Sequence, residues 1–312
     1  MDVVRDLAAF PRQRVPVVLA LGTFDGVHRG HQALLRETVR LAAELGGRAA
    51  AITFDPHPLT VIAPPPEPFL LTTVDERLRL LAALGIDLTV VIRFDEAFRQ
   101  IDAAGWMALL ERHVGMHDLV CGVNYTFGRD RGGTADLLRR WADSRGIHVH
   151  QIPPVHVGGT LVSSTLVRRL LRSGEVREAA RYLGRWYQVA GRVGRGGARG
   201  RRLGFPTANL VPPENKLIPA SGIYAALAHT ERDRLQAAVS IGTRPTFGPG
   251  AVVVEAYLLD FSGDLYDHAL DLHFVQRLRD EIAFTSEDAL IRQMRDDVEE
   301  TRRLLAASED PA

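Results

Sequence analysis

VPVVLALGTFDGVHRGHQALLRETVRLAAELGG, residues 15–47, reads as a strand, a tight turn and a helix in immediate succession. The run VPVVLAL is apolar at every position, as expected of a strand covered on both faces. After the turn GTFDGVHRGH, residues 22–31, apolar residues recur at helical spacing and stop at Gly46 and Gly47. A strand running through a glycine-rich turn into a helix start is suited to holding an anion. Gly22, Gly26 and Gly30 let the backbone approach a ligand, and the helix start offers unpaired N–H groups and the positive end of its dipole. His28 and His31 can donate to phosphate oxygens. A tight turn with two surface histidines is the plainer reading. Zinc is the competing chemical one, although no third cysteine, histidine or carboxylate stands nearby at a familiar ligand spacing.

The same design repeats outward. AAAITF, LTVVIRF and IHVHQI are further strand candidates, and VDERLRLLAALG and TADLLRRWADSRG read as helices closing on glycine. From Val15 to about Gly184 this alternation predicts an α/β domain with a parallel sheet. After LGRWY the texture changes. YQVAGRV, IYAALAH, LQAAVSIG, VVVEAYLLD and ALDLHFVQRL follow one another across glycine and proline turns with no helix between, which predicts a small antiparallel barrel or sandwich. Ser286, followed by Glu287 and Asp288, opens a last amphipathic helix that runs toward RRLLAAS and packs on the barrel. The expected domains are residues 1–185 and 186–312.

A chain of 312 residues exceeds the usual size of one core. Lys plus Arg equals Asp plus Glu, 38 of each, so no overall field draws the molecule to nucleic acid or an anionic membrane, and any anion must be met locally. Cys121 is the single cysteine, which excludes an intramolecular disulfide; inside LVC it reads as a small core residue, and a reducing cytoplasm fits. MDVVRDLAAFPRQR lacks the uninterrupted apolar stretch of a secretory signal, and no later run reaches about 18 apolar residues, so neither export by that route nor a membrane span is expected.

The first half offers no strong candidate for a covalent intermediate. Direct attack by a substrate phosphate on the α-phosphate of ATP, with pyrophosphate leaving on Mg²⁺, is the simplest chemistry for such a turn. GTFDGVHRGH resembles the HxGH nucleotidyltransferase signature of the prokaryotic bifunctional riboflavin kinase and FAD synthetase family. The resemblance continues for nearly the whole chain, and implies a Rossmann-like nucleotidyltransferase domain followed by a β-barrel kinase domain. It makes Gly22, Phe24, Asp25 and Gly30 ATP contacts and His28 and His31 catalytic. VSSTLVRRLLRSGEVREAARYLGRWY, residues 162–187, resembles the family's second ATP motif, in which Ser163, Ser164 and Thr165 touch ATP and Arg168 reaches the triphosphate. Without the family, SST is a good helix cap before a basic helix. FDPHP, residues 54–58, is similar to a segment lying near flavin and nucleotide, which points to His57. CGVNYTFGRDRGG, residues 121–133, is similar to another and points to Asn124 and Phe127. It departs from the family, however, by lacking an arginine, with Asn124, Tyr125 and Thr126 where an acidic residue, phenylalanine and arginine are usual.

GRVGRGGARGRRLG, residues 191–204, holds five arginines and six glycines and by itself looks like a flexible nucleic-acid segment. Its sequel GFPTANL is a strand start in which Thr207 and Asn209 share a face and could ligate Mg²⁺ and phosphate, so a mobile basic flap over a nucleotide is the better reading. PTAN, residues 206–209, matches the most specific motif of the riboflavin kinase domain, which also makes Gly204 an ATP contact. Glu255 interrupts the apolar strand VVVEAYLLD, and a carboxylate there suits a base for the ribityl 5′-hydroxyl, the role the family gives this position. FVQRLRDEIAF resembles the segment carrying a flavin-proximal arginine, here Arg279. Two departures are Tyr257 for a usual histidine and Asp267 where DLYG is usual; the second is expected to alter only a turn. The implied co-substrates and products are ATP, riboflavin, FMN and FAD, with Mg²⁺. The expected partners are these small molecules, with neither nucleic acid nor membrane, and homo-oligomerisation is left open. The alternatives are a one-activity enzyme of the same fold, in which one site has decayed, and a non-catalytic flavin or nucleic-acid module.

Overall fold

The structure, a computed structural model, describes residues 1–195, 204–243 and 252–308. The chain divides into two compact units, Met1–Ser164 and Thr165–Ala312.

The first unit is built on strands β1 (Asp2–Val4), β2 (Val17–Leu21), β3 (Arg48–Asp55), β4 (Leu88–Arg93), β5 (Asp118–Gly122) and β8 (His148–Ile152). They form one parallel sheet in the order β1-β4-β3-β2-β5-β8. The ribbons β6 (Thr126–Phe127) with β7 (Gly133–Thr134), and β9 (His156–Val157) with β10 (Thr160–Leu161), stand apart from it. Helices α1 (Arg29–Glu44), α2 (Pro58–Ile62), α3 (Val74–Ala83), α4 (Glu96–Arg99), α5 (Ala103–His113) and α6 (Ala135–Asp143) connect the strands. The unbroken apolar run of β2 has a direct cause. Val17, Leu19 and Leu21 enter one core with Trp106, Leu110 and Leu138, while Val18 and Ala20 enter a second with Leu35 and Leu81. A strand sandwiched in this way cannot alternate with polar residues.

Neither β1 nor β5 stands out in the sequence. β5 opens on the buried Asp118, whose carboxylate is hydrogen-bonded to His117 and His150. Burial alone would push that carboxyl's pKa up, but the two imidazoles more than reverse this and hold it below the usual value.

Two helices follow, α7 (Ser164–Arg172) and α8 (Val176–Leu183), then the strands β11 (Tyr187–Gly194), β12 (Ala208–Val211), β13 (Gly222–His229), β14 (Arg234–Thr243), β15 (Val252–Leu258) and β16 (Ala269–Arg279). Of the two antiparallel architectures the sequence allows, the chain adopts the closed barrel, in the order β11-β12-β15-β14-β13-β16. Pairing of β11 with β16 closes it and leaves no open edge. Val189, Leu210, Val239, Val254 and Leu272 are buried and their strand neighbours largely half-exposed, so the period-2 pattern is the signature of an inside and an outside. The final helix, α9 (Glu287–Ala306), is capped by Ser286 and lays Leu304 and Leu305 against Ala225, Leu227 and Val275. Residues 196–203 of the basic stretch fall outside the described residues, and the proposed flap with them, as do 244–251.

Cys121 lies in β5 with no exposure, and burial pushes its thiol up to about 11. Only about one in a thousand molecules then carries the thiolate at pH 8. Iodoacetamide at pH 8 should therefore modify the native protein at least about 100-fold more slowly than the urea-unfolded chain, as read by mass spectrometry.

Candidate active sites

In the first unit the turn 22–28 leaves the carboxyl end of β2, which lies between β3 and β5 where the strand order changes direction, the usual place for a ligand crevice in an open α/β sheet. His28 is the N-cap of α1, its Nδ1 accepting the His31 backbone N–H at 3.3 Å. With Nδ1 an acceptor, the neutral ring carries its proton on Nε2, a donor. The rings of His28 and His31 stack face to face, centroids 3.7 Å apart and planes at 16°, with Phe24 edge-on to His31. This arrangement suits two donors beside one anion at a helix N-terminus better than two ligands converging on one zinc ion. Gly30 leaves room for it, because a Cβ there would come 3.1 Å from the His28 ring and crowd it.

Below the histidines the turn is held from inside the protein. Asp25, 1% exposed, accepts the backbone N–H groups of Leu71 and Thr72 at 3.2 and 2.9 Å and the Thr72 hydroxyl at 3.1 Å. Thr72 Oγ1 accepts the Gly26 N–H at 3.0 Å, and Ser164 Oγ donates to the Asp25 carbonyl at 3.0 Å. Gly26 has φ +82°, and a Cβ there would lie 2.7 Å from Leu71. The expected ATP residues thus divide. Gly22 and Gly30 are partly exposed at the turn, while the side chains of Phe24 and Asp25 point inward and hold it.

Two neighbouring loops leave the same edge of the sheet. After β3, the buried His57 caps α2, its Nδ1 accepting the Leu59 N–H at 3.2 Å, and meets Phe69 edge-on. After β5, Asn124 is exposed. Phe127, expected beside flavin, is a core residue; it stacks on Tyr125 and lies under Gly133, where a Cβ would come 2.5 Å from the ring. Ser163 is half-buried. Thr165 and Arg168 fall in the second unit on α7, exposed and half-buried respectively.

In the barrel, antiparallel register does the positioning. Asn209 on β12 stands directly opposite Glu255 on β15, and Glu255 opposite Ser240 on β14. Ala208, Leu210, Val254 and Ala256 turn inward, so Thr207, Asn209, Glu255, Tyr257 and Ser240 face outward, all half-buried. Directly paired residues have Cβ atoms about 4.5–5.5 Å apart, which puts an amide and a carboxylate on one small patch. Tyr257 meets Phe205 edge-on at 5.2 Å, and Gly204 takes φ +83° at the start of this segment. Arg279 lies farther along the same row, with Ile223 between it and Ser240, but its guanidinium is committed to a fork on Asp297 of α9, at 2.8 and 2.6 Å.

Two models of known families match this chain, FAD synthetase over residues 11–166 and riboflavin kinase over 183–305. The bifunctional riboflavin kinase/FMN adenylyltransferase of Listeria monocytogenes is 34% identical over 297 residues, 94% of each chain. That of Pseudomonas fluorescens is 35% identical over 310 residues, 99% of each. The chain belongs to the bifunctional riboflavin kinase/FMN adenylyltransferase family. A solved structure described as a macrolide-efflux protein from Streptococcus pneumoniae superposes on this family member with a TM-score of 0.88 at 31% identity, covering 96% of this chain and 98% of that one. Among the described residues no helix is long and apolar enough to cross a membrane.

Sequence reasoning missed Thr72, Arg77 and Ser240. Arg77 gave one signal, its place on α3 a single turn before the buried Leu81. The departure at Asp267 is a turn effect. The residue has φ +64°, where the family's usual glycine is unstrained and aspartate is tolerated, and its N–H bonds the Val193 carbonyl at 2.9 Å. Asp267→Val should lower stability by about 1–2 kcal/mol in urea unfolding, while Asp267→Gly should stay within about 0.5 kcal/mol of the parent.

Proposed function

We propose that the chain makes FAD from riboflavin in two steps, with residues 186–312 performing the first and residues 1–185 the second. In the first, the ribityl 5′-oxygen attacks the γ-phosphorus of ATP, its proton passes to the Glu255 carboxylate, and ADP leaves, giving FMN. In the second, an FMN phosphate oxygen attacks the α-phosphorus of another ATP, the bond to the β-phosphate breaks, and pyrophosphate leaves, giving FAD. The observation that carries the pair is that each unit has its own convergent set. In one, His28 and His31 stack on the positive end of α1 beside the loops that follow β3 and β5; in the other, Asn209 faces Glu255 across two paired strands.

In the adenylylation site His28 and His31 donate to the nucleotide phosphates, and Ser163 and Ser164 with the turn backbone hold ATP; Thr165 and Arg168 on α7 keep the ATP and triphosphate roles that the family resemblance gives them. Asp25 and Phe24 act by fixing that backbone. His57 and Asn124 meet the flavin from the flanking loops, with Phe127 packed in the core against Tyr125 in the second of them. In the kinase site Thr207, Asn209 and Gly204 bind nucleotide. Arg279 serves the flavin side by anchoring α9 through Asp297.

The Thr207 hydroxyl and Asn209 amide are uncharged hard-oxygen donors, a set that fits Mg²⁺ shared with phosphate oxygens and water rather than an all-protein cage. When bound, the ion would neutralise charge on the nucleotide phosphates. The working partners are riboflavin, FMN and ATP, substrates consistent with a cytoplasmic enzyme.

With riboflavin and ATP supplied, His31→Ala should stop FAD formation by about 10²–10³-fold while FMN accumulates. Glu255→Gln or Asn209→Ala should cut FMN formation by about 10²–10⁴-fold yet still convert added FMN to FAD, both read by chromatography. Equal loss of both products in a folded His31→Ala protein would contradict the two-site assignment.

A further inference from the structure

Arg77 looks in sequence like one more surface cation on a short helix, yet it is 1% exposed. Its guanidinium reaches three separate segments. Nη1 donates to Thr53 Oγ1 at 2.8 Å and to the Phe54 carbonyl at 3.1 Å, both at the end of β3. Nη2 approaches the Thr72 carbonyl at 3.5 Å and lies 3.9 Å from Asp25 Oδ1. Thr53 in turn donates its hydroxyl to the Thr23 carbonyl at 2.7 Å. Burial opposes the charge and pulls the Arg77 pKa below the usual arginine range, against the favourable fields of Asp25, Asp55 and Glu76.

What those partners share is the turn that carries the two histidines. Phe24 at φ +52° and Val27 at φ +38° sit in the left-handed region without being glycine, and Val27 is β-branched. Residues held there persist only when the surroundings over-determine them. The surroundings here are the Thr53–Thr23 link and the Asp25–Thr72–Gly26 link, and Arg77 is the group that touches both.

We propose that Arg77 is a positioning residue for adenylyl transfer. It touches no phosphate; its planar fork fixes β3 and the Thr72 segment relative to each other, and through Thr53 and Asp25 it sets the height of the turn and so the placement of His28 and His31. A lysine could keep the charge but not the fork. The proposal rests on the reading of His28 and His31 as the adenylylation site.

The test uses the full-length protein and measures both reactions in each sample; thermal unfolding followed by circular dichroism reports on folding of the first unit, riboflavin phosphorylation on the barrel, and FMN adenylylation per folded molecule on the turn. Displacement of a catalytic group by about 1 Å can lower a rate about 10²-fold. Arg77→Gln should lower kcat for FMN adenylylation by about that factor, Thr53→Val by about tenfold, and Arg77→Lys by an intermediate amount. In each, KM for ATP should move far less than kcat, with riboflavin phosphorylation within about twofold of the parent.

Wild-type kcat for FAD formation in folded Arg77→Gln or in Thr53→Val overturns the proposal. So does a rise in KM with kcat unchanged, or parallel loss of both activities in Thr53→Val. If Arg77→Gln does not fold, Thr53→Val decides. His31→Ala separates the two levels: if it leaves FAD formation intact, the site reading fails, and if it stops FAD formation while the Arg77 and Thr53 variants do not, only the positioning role fails.

Discussion

The carboxylate of Asp25, sealed from water and bonded to the Leu71 and Thr72 amides, is the contact on which the turn carrying His28 and His31 depends. A helix start can receive a phosphate only if the chain enters it at a defined angle, and here that angle needs two non-glycine residues, Phe24 and Val27, in left-handed conformations. Each such residue costs of order 1–3 kcal/mol, which the turn's few contacts could not offset in water. Inside the protein they can, because a buried carboxylate that lost its N–H partners would be worse off than the strained turn. The sheet supplies the rest. With β2 covered on both faces, the turn leaves from a strand that has no room to shift.

The barrel solves a similar positioning problem by register. Once β12 and β15 pair as they do, Asn209 must face Glu255, and a slip of β12 by one residue would send Asn209 into the apolar interior. Burial of Ala208, Leu210, Val254 and Ala256 on the other face makes that slip unfavourable. Arg279, on the same outward row, is locked to Asp297, with Gln293 also donating to that carboxylate at 3.1 Å. The final helix is thereby tied to the strand face that carries Asn209 and Glu255.

How much of this the sequence disclosed follows from the range of the forces involved. The β2–turn–α1 unit was legible because its pattern is local: continuous apolarity, then glycine, then helical spacing. The barrel strands were legible by alternation, but closure was not, since it depends on β11 meeting β16 some 80 residues away. β5 escaped notice because it opens on Asp118, whose polarity is satisfied by His117 and His150 rather than by solvent. Phe127, expected beside flavin from the resemblance, is a core residue because Gly133 leaves space above its ring. Thr72 gave no signal and Arg77 only its place one turn before Leu81, since what makes them matter is a buried network joining residues 23–26, 53–54 and 71–77. The histidines and the PTAN segment could be named from their motifs and local context; what holds them in place could not.

Position-labelled ATP tests the central claim most directly, because the two reactions take different phosphorus atoms. With riboflavin and ATP carrying label at the γ-phosphorus, the account predicts label in FMN and in the FAD made from it. With label at the α-phosphorus, it predicts label in FAD and none in FMN. Label from the α-position in FMN, or unlabelled FAD formed from α-labelled ATP, would contradict it.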